Sequence, residues 1–185
     1  KGMKCPYKVS DEEILVLSAE AQEQGKEPVK MKIKDAFGKG IIKKDWHAYW
    51  LAEEIMWFRK LGANMENFRI RQHLRDELSH YSSDTWDLEY RFPFGWKELE
   101  GIADRGNFDL TQHEKHSGKE LKYTDPVTNE KYVPHVIEPS LGVDRTVLAV
   151  LLSAYTETEA RSGKDDAVHE KEVTLRLPKE LAPIK

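Results

Sequence analysis

Hydrophobic and polar positions change period along the chain. Over residues 43–63, KKDWHAYWLAEEIMWFRKLGA, the large apolar residues Trp46, Tyr49, Trp50, Trp57, Phe58 and Leu61 recur at three- and four-residue spacings, with Glu53, Glu54, Arg59 and Lys60 between them. That spacing predicts an amphipathic helix with Gly62 as its stop and the aromatic stripe as its packing face. From residue 67 the period falls to two. In NFRIRQH (67–73) and TWDLEYRF (85–92) every second residue is apolar, and 98–105 and 132–139 are further strand candidates. Alternating strands in succession predict an antiparallel sheet with one polar face. The stretch between the last two is polar and turn-rich, a surface excursion with a hairpin around Asp125, Pro126 and Asn129.

The remaining segments flank this core. Residues 144–160 form a second helix candidate directly after the fourth strand, 161–172 a charged linker, and VTLRLPKELAPIK a short strand ended by prolines. Ser10 and Glu13 match a capping box for a helix over VSDEEILVLSAEAQEQGKE, and MKIKDAFGKGII (31–42) reads as a short strand or loop. There is no internal repeat. The fold class is α+β, an antiparallel sheet flanked by helices on one face.

Composition narrows the partners. Of 185 residues, 34% are charged and nearly cancel to a net charge of -4, so no global positive field gathers nucleic acid, although a local basic groove stays open. Cys5 is the single cysteine, which rules out an intramolecular disulfide and fits a reducing compartment. The longest strongly apolar run, TVLAVLLSAY, is too short to span a bilayer. With no signal-peptide pattern at the start, the chain is expected to be soluble and intracellular. It does not begin with Met, so it reads as a fragment.

Candidate chemistry concentrates on the strands. Asp87, Glu89, Glu98, Glu100, Asp104 and Glu138 alternate with Arg69, Arg71, Arg91 and Arg105. Two readings compete: a solvated outer face, or a cleft floor whose carboxylates meet an ammonium or Mg²⁺ and whose arginines meet phosphate. Arg145 falls in the first turn of the second helix, where unpaired amides and the helix dipole favour an anion. A salt bridge to Asp144 or to a sheet carboxylate explains it equally well. His113 and His116 form an H-x-x-H pair without further ligands at metal-site spacing, and no P-loop, dinucleotide or nucleophile-elbow motif is present.

Three stretches carry a family resemblance: FRIRQHLRDELSHYSSDTWDLEY, FGWKELEGIADRGNFDL and HVIEPSLGVDRTVLAVLLSAYTE. In this order they resemble the second half of the catalytic domain of glycyl-tRNA synthetase, the homodimeric class II form, from about residue 39 to 185. EPSLGVDR looks like that family's version of class II motif 3. The resemblance implies a cytoplasmic, non-membrane glycine–tRNA ligase. Such an enzyme activates glycine with ATP and Mg²⁺, transfers it to tRNA(Gly), and is a homodimer at full length. It assigns Glu138, Pro139 and Ser140 to glycine, and Glu98, Leu99 and Arg145 to ATP. Arg145 is also its catalytic residue, and Glu98 its Mg²⁺ contact.

The resemblance also divides the chain. Residues 1–40 look like an insertion after motif 2, 41–160 like the C-terminal half of the catalytic domain, and 161–185 like a linker toward an anticodon-binding domain. Motifs 1 and 2 do not occur in the sequence, so the chain alone is expected not to charge tRNA. The alternative is a synthetase-like binding subunit without chemistry, as in the accessory subunit of the mitochondrial DNA polymerase.

Overall fold

The computed structural model describes residues 4–159 and 171–182. Its centre is a six-stranded sheet in the order β2-β1-β3-β4-β5-β8. The strands are β1 (Glu13–Leu17), β2 (Val29–Lys32), β3 (Phe68–Gln72), β4 (Asp84–Phe92), β5 (Gly95–Gly106) and β8 (Val136–Leu141). Four of the five pairings are antiparallel, and β1 runs parallel to β3, so the sheet is mostly rather than wholly antiparallel. Helices α3 (Asp45–Lys60) and α5 (Val143–Ala154) cover one face. Their buried residues join Phe68, Ile70, Trp86, Leu88 and Ile102 in one core cluster, and Ser153 of α5 hydrogen-bonds the Tyr90 hydroxyl at 3.0 Å.

The alternating strands fold as their period predicts. Phe68 and Ile70 are buried while Arg69 and Arg71 are only partly so. The long helix ends near its expected stop, with Gly62 at φ +77. A methyl group there would lie 2.8 Å from Pro178 Cδ and closer still to Cγ. Gly62→Ala therefore meets both a left-handed backbone and a rigid ring, and is expected to cost about 2–3 kcal/mol in urea unfolding; an unchanged midpoint contradicts this.

Three local expectations need correction here. The predicted N-terminal helix is instead β1 followed by the short α1 (Ala19–Glu23), capped by Ser18, whose hydroxyl accepts from the Ala21 amide at 3.2 Å. The apolar run ILVL buries alternate residues in the sheet, and this outweighs the capping-box pattern at Ser10. Residues 33–38 form helix α2 (Ile33–Gly38), seated by Ile33 and Ala36. The excursion after β5 holds α4 (Phe108–Ser117), none of whose residues is buried, so it left no apolar period in the sequence. Beyond it, β6 (Tyr123–Thr124) and β7 (Lys131–Tyr132) form the expected hairpin.

The second helix stops at Ala154. Tyr155–Glu159 leaves as strand β9 and pairs with β10 (Lys171–Leu175); the alternating threonines of YTETE favour extended backbone. The predicted charged linker falls mostly outside the described residues. No helix among the described residues is long and apolar enough to cross a membrane.

The aromatic stripe of α3 is also out of phase with the prediction. The buried line is His47, Ala48, Leu51, Ala52, Ile55 and Phe58. Small alanines let the helix approach the sheet, whereas Trp57 remains 40% exposed. His47 is held in this layer by its Nε2–H, which donates to the Ile102 carbonyl at 2.7 Å.

Candidate functional site: the open face of the sheet

The face away from α3 and α5 is charged, and its side chains stand in rows fixed by strand register. One row runs Arg71, Asp87, Gly101, Ser140 across β3, β4, β5 and β8; a second runs Arg69, Glu89, Glu98; a third runs Thr85, Ala103, Glu138. The second row depends on a β-bulge between β4 and β5. Leu88 pairs with Glu100 and Glu89 with Glu98, so Leu99 is the extra residue. The bulge puts Glu98 on the open face and Glu100, two residues later, under the helices. Glu100 and Asp104, expected with the polar set, therefore lie on the covered face, 0% and 1% exposed. Asp104 is ion-paired there with Lys44.

Ion pairs brace the open face. Arg69 pairs with Glu89, and its guanidinium lies 4.5 Å from the centre of the Trp96 ring. Arg71 binds both oxygens of Glu77 at 2.7 and 2.8 Å. His73 Nε2 reaches Asp87 at 2.8 Å, and that hydrogen bond raises the imidazole above its usual pKa. Arg105 spans Asp109 at 2.6 Å and Glu138 at 2.7 Å, with its guanidinium 3.9 Å from the Tyr81 ring centre. Paired carboxylates of this kind are fixed in position, which a binding surface requires.

Between these struts the floor is bare at Gly101. A methyl group at that position would sit 3.5 Å from Glu98 Oε1 and 3.7 Å from Asp87 Oδ1, so two carboxylates lean over the same backbone. Their proximity is felt at Glu98: desolvation first, then the Asp87 charge, raise its pKa, while Arg145 pulls the other way. A cation over Gly101 relieves that repulsion. No group of three or more His, Cys, Asp or Glu that could hold a metal occurs among the described residues, so the arrangement is not an all-protein metal cage.

Arg145 resolves the ambiguity left by the sequence. It pairs with neither Asp144 nor a sheet carboxylate; Nη1 donates to the Glu98 carbonyl oxygen at 2.6 Å. The guanidinium is thereby anchored to β5 at the bulge while its charge is not neutralised by that contact. Arg145 lines a recess of about 560 Å³ with Glu98, Leu99, Ser140, Leu141, Gly142, Val143 and Asp144. Four of the predicted site residues, Glu98, Leu99, Ser140 and Arg145, thus meet at one place.

The other two fall outside that recess. Glu138 is on the open face but engaged with Arg105, and Pro139 pairs with Ile102 on the covered side. Leu99 is 2% exposed and belongs to the core. Sequence reasoning missed Gly101 as floor, and passed over His73 and Trp96; strand pairing, once assigned, brings all three to this face. A larger cavity of about 760 Å³ beside the start of α3 contains none of the residues that the resemblance assigns to glycine or ATP, although Asp104 lines it.

A six-stranded, mostly antiparallel sheet with helices behind and a charged open face is compatible with the catalytic domain of an aminoacyl-tRNA synthetase. Comparison with curated proteins makes the kinship specific. The chain is 50% identical over 144 residues to the glycine–tRNA ligase of Thermobifida fusca, a match covering 76% of this chain and 31% of that relative. It is 54% identical over 141 residues to the glycine–tRNA ligase of Alkaliphilus oremlandii, covering 76% and 29%. It is 55% identical over 121 residues to that of Staphylococcus haemolyticus, covering 65% and 26%. Over the matched stretch the chain is thus similar to glycine–tRNA ligases, and it spans about three-tenths of the length of these curated relatives. No protein-family profile matches the chain.

Proposed function

We propose that the open sheet face is part of the site where a class II glycine–tRNA ligase activates glycine. In that reaction the glycine carboxylate attacks the α-phosphate of ATP, pyrophosphate leaves, and the glycyl group of the adenylate then passes to the 3′ end of tRNA(Gly). Such chemistry needs positioned charge more than a general base. The observation that carries the reading is Arg145, held by the Glu98 carbonyl at the rim of the recess and free to meet phosphate.

Within this reading Arg145 is the catalytic residue. It shares the nucleotide with Glu98 and Leu99, the latter through its backbone at the bulge because its side chain is buried. Glu98, with Asp87 beside Gly101, is the residue to contact Mg²⁺. Magnesium characteristically takes one or two carboxylates and completes its shell with phosphates and water, and Glu98 and Asp87, both beside Gly101, would supply those carboxylates. Glu138 and Ser140 meet glycine from the same face, and Pro139, turned to the covered side, fixes the strand that presents them. Exclusion of a side chain does the rest: a pocket wall rejects larger amino acids by steric block, while binding one methyl more or less is worth only about 1–3 kcal/mol.

The reading extends to the rest of the assignment. Residues 1–40 are an insertion following motif 2, 41–160 the C-terminal half of a class II catalytic domain, and 161–185 the approach to an anticodon-binding domain. The whole enzyme is a cytoplasmic homodimer. β1 and β2 add to the sheet edge, so an insertion of this kind is integrated with the catalytic fold.

The test uses the chain grafted in place of the matched 144 residues of the Thermobifida fusca relative. Arg145→Ala in that graft is expected to raise the KM for ATP about tenfold or more, with kcat for pyrophosphate exchange falling further. Unchanged ATP kinetics overturn the assignment of Arg145.

A further inference from the structure

Beside the start of α3, the cavity of about 760 Å³ has a lining that the chemistry of the open face does not use. Its volume lies within the range of small-molecule sites, and it shares no residue with the recess at Arg145. Asp104 and Ile137, register partners on β5 and β8, lie side by side in its wall. Phe37, Trp46, Trp50 and Tyr132 bring four aromatic rings to it. The rings of α3 brace one another. Tyr49 meets Trp46 edge-on at 6.0 Å between ring centres and Trp50 at 5.5 Å, and Tyr7 stacks on Tyr49 at 5.1 Å. Asp45 ties the incoming chain to the helix, accepting from the Cys5 amide at 2.7 Å and the Trp46 amide at 2.8 Å. Indoles held in this way lose little freedom when a planar ring stacks on them.

The charge of the lining favours an anion. Lys4, Lys43 and Lys44 stand in it against two carboxylates, Asp45 and Asp104. Both acids are already engaged: Asp45 by the two amides, and Asp104 by Lys44 and by the Gly106 amide at 3.0 Å. Lys4 and Lys43 have no ion pair among the described residues. Desolvation and then positive charge, that of Lys44 included, hold His135 below the usual imidazole pKa. At neutral pH that ring therefore offers the cavity one donor and one acceptor. Aromatic walls select a planar ring, and unpaired lysines at their edge select a phosphate carried by it. A single-ring acid leaves most of this volume empty, whereas a base, a sugar and a phosphate together have room in it.

We propose that this cavity is a second nucleotide site, which binds a free mononucleotide with its base against Trp46 and Trp50 and its phosphate at Lys4 and Lys43. His135 meets the sugar or the base edge. The site stands apart from the recess at Arg145 and does not rest on the reading of the open face as a glycine-activating site.

Isothermal titration of the chain with GMP tests it, a probe chosen because ATP is the nucleotide expected on the open face. Saturable binding is expected, about tenfold or more tighter than that of guanosine or of inorganic phosphate. Lys43→Glu changes an exposed residue and is expected to weaken GMP about tenfold or more with the urea midpoint unmoved. Trp50→Leu is expected to weaken GMP and guanosine alike, since it removes the stacking wall. No saturation up to about 5 mM GMP, or equal affinity for GMP and guanosine, overturns the site. Binding kept in Lys43→Glu and lost in Arg145→Ala places the ligand on the open face and overturns it too. A 5′-phosphorylated trinucleotide that binds more tightly than GMP overturns a free nucleotide as the occupant. GMP binding without glycine-dependent exchange by the graft supports this proposal and sinks the functional reading; exchange without GMP binding does the reverse.

Discussion

Replacing Glu100 by Gln is expected to stabilise the isolated chain progressively as pH rises. The folded-state pKa of this carboxyl, about 8, lies above its ordinary value of 4.5. Below pH 4.5 it is protonated folded or unfolded, and the substitution changes little. Between pH 4.5 and 8 the unfolded chain ionises while the folded chain keeps its proton, so the wild-type chain loses stability across that window. Above pH 8 both states are ionised and the loss is complete, at most about 5 kcal/mol for a displacement of this size. The Gln variant has no such proton to release. Urea unfolding at pH 5, 7 and 8.5 should show wild-type and variant curves diverging with pH; curves that stay parallel mean that Glu100 is not buried and unpaired.

Glu138→Ala in the graft is expected to lower glycine-dependent pyrophosphate exchange by about 10²–10³-fold, the scale of losing one well-placed charged contact in a reacting site. The structure adds a condition. Glu138 is held by Arg105, and Arg105 is in turn held by Asp109, so removing Glu138 leaves the guanidinium paired and the strand intact. The effect should therefore appear in glycine kinetics with the unfolding temperature nearly unmoved. A loss confined to stability, with normal glycine KM and kcat, places Glu138 among the struts and not in the pocket.

Much of this architecture could be read from residue patterns because it rests on period. Alternation of Phe68, Ile70 and Trp86, Leu88, Tyr90 with charged neighbours reflects a sheet covered on one side, and the structure has that sheet. What period does not encode is interruption. Glu98 and Glu100 are two apart and belong together in any regular strand, yet the bulge at Leu99 sends them to opposite faces. The α3 stripe failed for a different reason. Aromatic bulk suggests the packing side, whereas Ala48 and Ala52 occupy it because close approach of helix to sheet needs small residues. Trp57 was left outside.

The site followed the same division. Glu98, Ser140 and Arg145, which the motif resemblance singles out, line one recess. Arg145 had two explanations in the sequence, an anion or a salt bridge, and the structure shows a third contact, the Glu98 backbone. That contact depends on β5 and α5 meeting 47 residues apart in sequence, which no local pattern records. Gly101 carries no side chain to signal its role; it is the neighbours Asp87 and Glu98 that make it the floor.

The central claim is that this face belongs to a glycine-activating site completed by the remainder of a family-length protein. Glycine-dependent ATP–pyrophosphate exchange tests it directly, with the isolated chain and the Thermobifida fusca graft assayed side by side. The account predicts exchange by the graft with glycine but not alanine, and background for the isolated chain. Exchange by the isolated chain, or a folded graft that binds ATP without any exchange, contradicts it.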